Sequence, residues 1–224
     1  MKKIFSVLCA GILAVSLAAC GSQPEAKTYT SEELAGILQN AVSENSEMGP
    51  MAEVITPDSV NAAVDFLTGT KGMSTEDAQA FMTEYEALDF EAREGFLTEK
   101  GFTAEEMEAF YGAEGTGRNA AMVFETLGLT AEDMQAGALS VSMINIKAYG
   151  IAIIQPAEGK GEAVKTALDN YVAQMQKSFE SYLQDQYAVA KAAVCETLED
   201  GTVIMVISEN SDAIATAIKE GLAA

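Results

Sequence analysis

At residues 139 to 143 the chain changes its hydrophobic period. Upstream, apolar residues recur at helical spacing; from there on they alternate. Leu139, Val141 and Met143 are interleaved with Ser140 and Ser142, which predicts a half-buried strand. Asn145 to Ala148 is a break, and Tyr149 to Ile154 predicts a second strand ended by Pro156. Val164, Leu168, Tyr171, Met175, Phe179 and Tyr182 then fall on one face of a long helix, and Tyr187 to Ala192 extends the helical pattern. Ala193 to Leu198 and Thr202 to Ile207 read as strands joined by Asp200-Gly201, a hairpin signal. Val203 to Ile207 is apolar at every position, as in a central strand. Asn210 or Ser211 caps a last helix that returns Ile214, Ala217, Ile218 and Leu222 to the core. The order β-β-α-β-β-α over residues 139–224 predicts an α+β unit, its helices on one face of a mainly antiparallel sheet.

Residues 29–138 predict an acidic, helical region of about six short helices. Thr30, Thr56, Ser74, Thr103 and Thr130 each stand at an N-cap position, and four of the five have an acid three residues on. Gly72 to Ala80, Gly101 to Ala109 and Gly128 to Ala136 resemble one another as short repeats, at spacings too irregular for a solenoid. Val60, Val64 and Leu67 form one apolar stripe; Phe81, Tyr85 and Leu88 form another.

The first residues set an expected address. Lys2 and Lys3 precede an uncharged apolar run, Ile4 to Ala19, followed by Cys20. The run is too short for a membrane span and reads as a secretory signal over 1–19. Leu17-Ala18-Ala19-Cys20 has the form of a bacterial lipobox, which implies a diacylglycerol thioether on Cys20 and a lipid-borne contact with the membrane. Residues 20–28 are then the lipidated cysteine and its polar tether. The expected location is the outer face of the cytoplasmic membrane, after export.

Charge narrows the partners. Without Lys2 and Lys3 the chain has 11 basic and 34 acidic residues, a net charge of −23. Nucleic acid is excluded as a partner, because its binding needs Lys and Arg on phosphates. Residues 30 to 138 alone hold 22 acids and 4 bases. No Asp-x-Asp-x-Asp-Gly calcium loop occurs, and the acids read as solvated helix faces. The absence of histidine removes Ser-His-Asp and Cys-His catalysis and His-ligated zinc or haem. No cofactor or metal is implied. With Cys9 in the signal and Cys20 lipidated, Cys195 has no disulfide partner.

Four stretches carry a family resemblance: Ser142-Met143-Ile144-Asn145-Ile146, Gln155-Pro156-Ala157-Glu158-Gly159-Lys160, Ser178 through Tyr187, and the Gly201-Thr202-Val203 hairpin. Through them residues 139 to 222 resemble the C-terminal domain of small Gram-positive bacterial lipoproteins, a domain of unknown function. Family members often have proline where this chain has Gln184, and roughly 45 to 120 looks like an expanded helical insert. The resemblance implies an address and a fold, with no catalytic residue to carry over.

Two groups of residues are candidate contacts. Gly159, Lys160 and Gly161 lie between a strand and a helix, where backbone amides suit an anion, although the full phosphate-loop pattern is missing. Asp185 and Tyr187 form a polar cluster near a helix end. Cys195 reads as a small buried hydrophobe. These features support a non-catalytic module binding an unknown small molecule or envelope protein. The alternatives are an enzyme using carboxylates or Lys160, and a structural envelope protein. Residues 139–224 are expected to fold alone, the helical region to depend on them, and a ligand cleft to lie between the two.

Overall fold

The computed structural model describes residues 27–46, 50–144 and 146–224. The predicted signal and Cys20 lie outside the described residues. The elements are α1 (Ser31–Asn45), a 3-10 turn (Pro57–Asn61), α2 (Ala62–Lys71), α3 (Thr75–Glu86), α4 (Phe90–Glu99) and α5 (Ala104–Leu127). After a second 3-10 turn (Ala131–Asp133) come β1 (Met134–Val141), β2 (Gly150–Pro156), α6 (Gly161–Phe179), α7 (Gln184–Lys191), β3 (Val194–Thr197), β4 (Val203–Ile207) and α8 (Ser211–Ala223). Among the described residues no helix is long and apolar enough to cross a membrane.

The hydroxyl caps start helices where the sequence predicts them. Thr30 Oγ1 accepts from the Glu33 amide at 3.2 Å, and Glu33 accepts from the Thr30 amide at 2.7 Å. Thr103 and Glu106 repeat the exchange at α5, at 3.2 and 2.8 Å. Gly101 (φ 77°) and Gly128 (φ 69°) end α4 and α5 in the left-handed region. The next amides, of Phe102 and Leu129, then reach back to the carbonyls of Leu97 and Phe124, which closes each helix end. The cap of α4 was not legible: Asp89 accepts from the Ala92 amide at 2.9 Å, without an acid three residues on. Thr130 caps as well, its amide and its hydroxyl both donating to Asp133 at 2.9 Å, but what it starts is only a three-residue 3-10 turn before the chain enters β1. Thr103→Ala is therefore expected to lower stability by about 0.5–2 kcal/mol, and Thr130→Ala by clearly less. Urea midpoints of the two variants check this; equal shifts would contradict the distinction.

The four strands form one antiparallel sheet in the order β1-β2-β4-β3, so the α+β class stands. The first strand begins at Met134, five residues before Leu139, and shows a register irregularity between Met134 and Ala136. Helices on one face of the sheet is corrected: both faces are covered. On one side Leu139, Val141, Ala152, Ile154, Val203, Met205 and Ile207 meet the C-terminal half of α5 together with α6 and α7. On the other, Ala136, Ala138, Ile151, Ile153, Ile204 and Val206 meet α1 and α8. The physical reason lies in β2 and β4 themselves. Strands apolar at every position must bury both rows of side chains, and α8 alone spans too little of the second face. Leu34, Leu38 and Val42 of α1, fully buried, supply the rest.

A third cluster stands apart from the sheet. Phe81, Tyr85, Phe102 and Phe110, with Ala63, Leu67 and Leu97, make an aromatic core among α2, α3, α4 and the first half of α5. The 24-residue α5 thus belongs to two cores, this one through Phe110 and the sheet's through Val123, Phe124 and Leu127. A helix of that length runs about 36 Å.

Candidate functional site

The sheet gives the molecule two poles. At one, the first described residues are clamped by Gln155 at the end of β2. Its Oε1 accepts from the Tyr29 amide at 3.0 Å, and its Nε2 donates to the Lys27 carbonyl at 2.7 Å. The Tyr29 hydroxyl donates to the Leu222 carbonyl, tying the same segment to α8. The other pole lies beyond Gly150, at the opposite end of β2. Seven strand residues separate the two by about 20 Å.

At this second pole a cavity of about 240 Å³ opens between the end of α1, the β1–β2 loop, the start of α7 and the β4–α8 turn. Ser46, Met51, Lys147, Tyr149, Gln186, Ser208, Glu209 and Asn210 are among its lining residues, so both sides of the predicted 138/139 boundary contribute. Gln186 is buried. Its Oε1 accepts from the Ala148 amide at 2.9 Å and its Nε2 donates to Asp185 at 3.0 Å. Lys147 pairs with Glu209 at 3.0 Å, and Asn210 donates to the Asn45 carbonyl at 2.8 Å. Burial raises the Tyr149 hydroxyl above its ordinary pKa, against its hydrogen bonds with Ser140 and the Met51 backbone. Beside the cavity the β1–β2 loop leaves Met143, Ile144 and Ile146 in solvent; Ile144 and Ile146 are about two-thirds exposed.

Asp185 and Tyr187 stand on the first turns of α7, flanking Gln186. The Asp185 carboxyl is held below its ordinary value first by the Gln186 side chain, and Lys147 adds to this. Lys191 lies over the Tyr187 ring at 5.5 Å. Gln186, which joins this cluster to the cavity, was missed because a glutamine in a helical run carries no chemical signal. Two of the stretches that carry the resemblance, around Met143 and around Gln186, thus meet at one pole.

Gly159, Lys160 and Gly161 lie at the Gln155 pole, away from the cavity. Lys160 Nζ pairs with Asp133 Oδ1 at 3.0 Å, and the Ala157 amide donates to the Asp133 carbonyl at 2.9 Å. The Lys160 ammonium is thus engaged in fastening α6 to the turn before β1. It holds the Asp133 carboxyl below its usual range.

Cys195 corrects its reading as a buried hydrophobe: it is half-buried on β3 and its thiol hydrogen-bonds to Asp169, which also receives Lys165 at 2.6 Å. Burial first, then the Asp169 carboxylate, push the thiol up to about 12. Because the thiolate is the nucleophile, Cys195 is expected to react with a disulfide reagent at pH 8 at least about tenfold slower than free cysteine. Asp169→Asn should speed the reaction by lowering the thiol pKa. A wild-type rate equal to that of free cysteine would contradict the assignment.

Residues 110–208 match the family model described as a domain of unknown function (DUF4358). The matched span begins in α5 at Phe110 and ends just after β4. It therefore contains all four strands, α6, α7 and the distal loop, and leaves α1 and α8 outside. The chain thus contains this α+β domain. No curated protein and no solved structure matches the chain.

Proposed function

We propose that this protein is a membrane-anchored extracytoplasmic lipoprotein, of the Gram-positive kind its C-terminal stretches resemble, acting as a non-catalytic binding module. The observation that carries the reading is Leu17-Ala18-Ala19-Cys20, followed by a short polar tether. Acyl chains on Cys20 add about 0.8 kcal/mol per buried CH₂, and two chains hold a protein on a bilayer. The tether joins the fold at the Gln155 pole. On this reading the recess lined by Lys147, Gln186 and Glu209 faces away from the membrane. Its amide, hydroxyl and charged side chains, held in place by the Lys147–Glu209 pair and the Gln186 bond to Ala148, support recognition of a small polar ligand.

Cys20→Ser is expected to leave an unprocessed precursor that takes up no radiolabelled palmitate. Normal processing and the usual lipid mass in that variant would dismiss the lipobox reading. Loss of labelling together with release of the folded domain by proteolysis in the tether would support it.

A further inference from the structure

The helical lobe holds a second recess, far from the sheet's poles in sequence and different in chemistry. Tyr85 at the end of α3, Phe90 at the start of α4 and Tyr111 on α5 flank a cleft of about 470 Å³. Phe90 is 89 % exposed, the one phenylalanine among the described residues left in solvent, and Tyr111 is partly exposed.

The lobe shows what its rings accept. Lys71 stands over Phe102 at 4.5 Å, Arg93 over Tyr85 at 4.7 Å, and Lys100 over Phe96 at 4.9 Å. Each of these bases also meets an acid, Glu106, Glu114 or Glu84. Three of the lobe's four bases are thus held between a ring and a carboxylate. The fourth, Arg118, pairs with Glu114 at 2.9 Å. At the cleft two further rings and two further acids stand with no base among the described residues engaged to them. Phe90 and Tyr111 supply rings with no cation over them, and Glu91 and Glu94 form no ion pair among the described residues. Arg93 and Arg118 also line the cleft, and both are turned to Glu114.

We infer that this cleft docks an arginine- or lysine-bearing segment of a basic protein partner, one cation seating on Phe90 and Tyr111 beside Glu91 and Glu94. A cation over an aromatic face gains from the ring quadrupole, and guanidinium stacks more readily than ammonium. The occupant is a segment rather than a lone small cation because the charge extends over the whole lobe. Residues 62 to 118, which make up this lobe, carry 13 acids and 4 bases, so further bases on the same segment meet further carboxylates. Such a field steers a basic partner and falls with salt. This site does not depend on the lipid anchor or on the recess at the distal pole.

The chain has no tryptophan, so Phe90→Trp places a single fluorescent reporter at the cleft. Titrating the full chain with a tetra-arginine peptide is expected to shift that emission saturably, with one peptide bound. Anisotropy of the labelled peptide should then show about tenfold weaker binding for Phe90→Ala, and weaker binding for Glu91→Gln/Glu94→Gln. Removing two acids elsewhere, with Glu199→Gln/Glu220→Gln, should leave affinity within about twofold. Peptide binding to Phe90→Ala as tight as to the wild type would overturn the proposal, leaving only the general acidic field. Spermine binding as tightly as the peptide, with the same dependence on Phe90, would overturn the protein partner in favour of a polyamine site.

Discussion

Phe110→Ala is expected to cost about 3–5 kcal/mol, the largest effect of any single substitution proposed for this chain. Phe110 is fully buried, and its ring centroid lies 5.1 Å from Tyr85, 5.6 Å from Phe102 and 5.9 Å from both Phe66 and Phe81. Three of these contacts are edge-to-face, with interplanar angles of 72°, 82° and 90°, and such pairs add about 0.5–1.5 kcal/mol each beyond area burial. Four surrounding rings cannot collapse into the space one of them vacates, so a cavity remains. Because α5 continues into the sheet's core, the loss should lower the urea midpoint of the whole protein. Far-UV circular dichroism through the titration measures it. A midpoint within error of the wild type would show that the aromatic cluster contributes little.

The second large effect concerns the boundary between the two regions. A fragment starting at Thr130 is expected to lack a cooperative unfolding transition, contrary to the sequence expectation that this unit folds alone. The fragment keeps all four strands but loses α1 from one face and α5 from the other. Ala136, Ala138, Ile151 and Ile153 would then have little beyond α8 over them, and the row around Leu139 would lose Val123, Phe124 and Leu127. Apolar area re-exposed in this way costs about 25 cal/mol per Å², against a total stability of only about 5–15 kcal/mol for a domain. Restoring residues 27–129 should restore the sharp transition. Dispersed amide resonances and a steep urea curve from the short fragment would sink this account.

Most of what is set by neighbours in sequence was legible, the Asp89 cap of α4 excepted. Thr30 with Glu33 and Thr103 with Glu106 announce helix starts, because a cap is satisfied within three residues. Asp200-Gly201 announces the β3–β4 hairpin for the same reason: the Asp200 carboxylate takes the Thr202 amide at 2.9 Å and Gly201 adopts φ 86°. The uninterrupted apolar run Val203 to Ile207 even contained the evidence that both faces of its strand are buried. What it did not contain was the identity of the cover. That α1, some 165 residues earlier, supplies it follows from how the helices dock, as does the Asn210 bond to the Asn45 carbonyl. Three-dimensional packing likewise decided the candidate sites. It set Lys160 against Asp133, joined Asp185 through Gln186 to a recess, and gave the Cys195 thiol to Asp169. It also left Phe90 exposed beside Glu91 and Glu94. Short-range hydrogen bonds and hydrophobic period are properties of a window of sequence. Charge pairing and cavities depend on residues tens to more than a hundred positions apart, and only the folded chain brings them together.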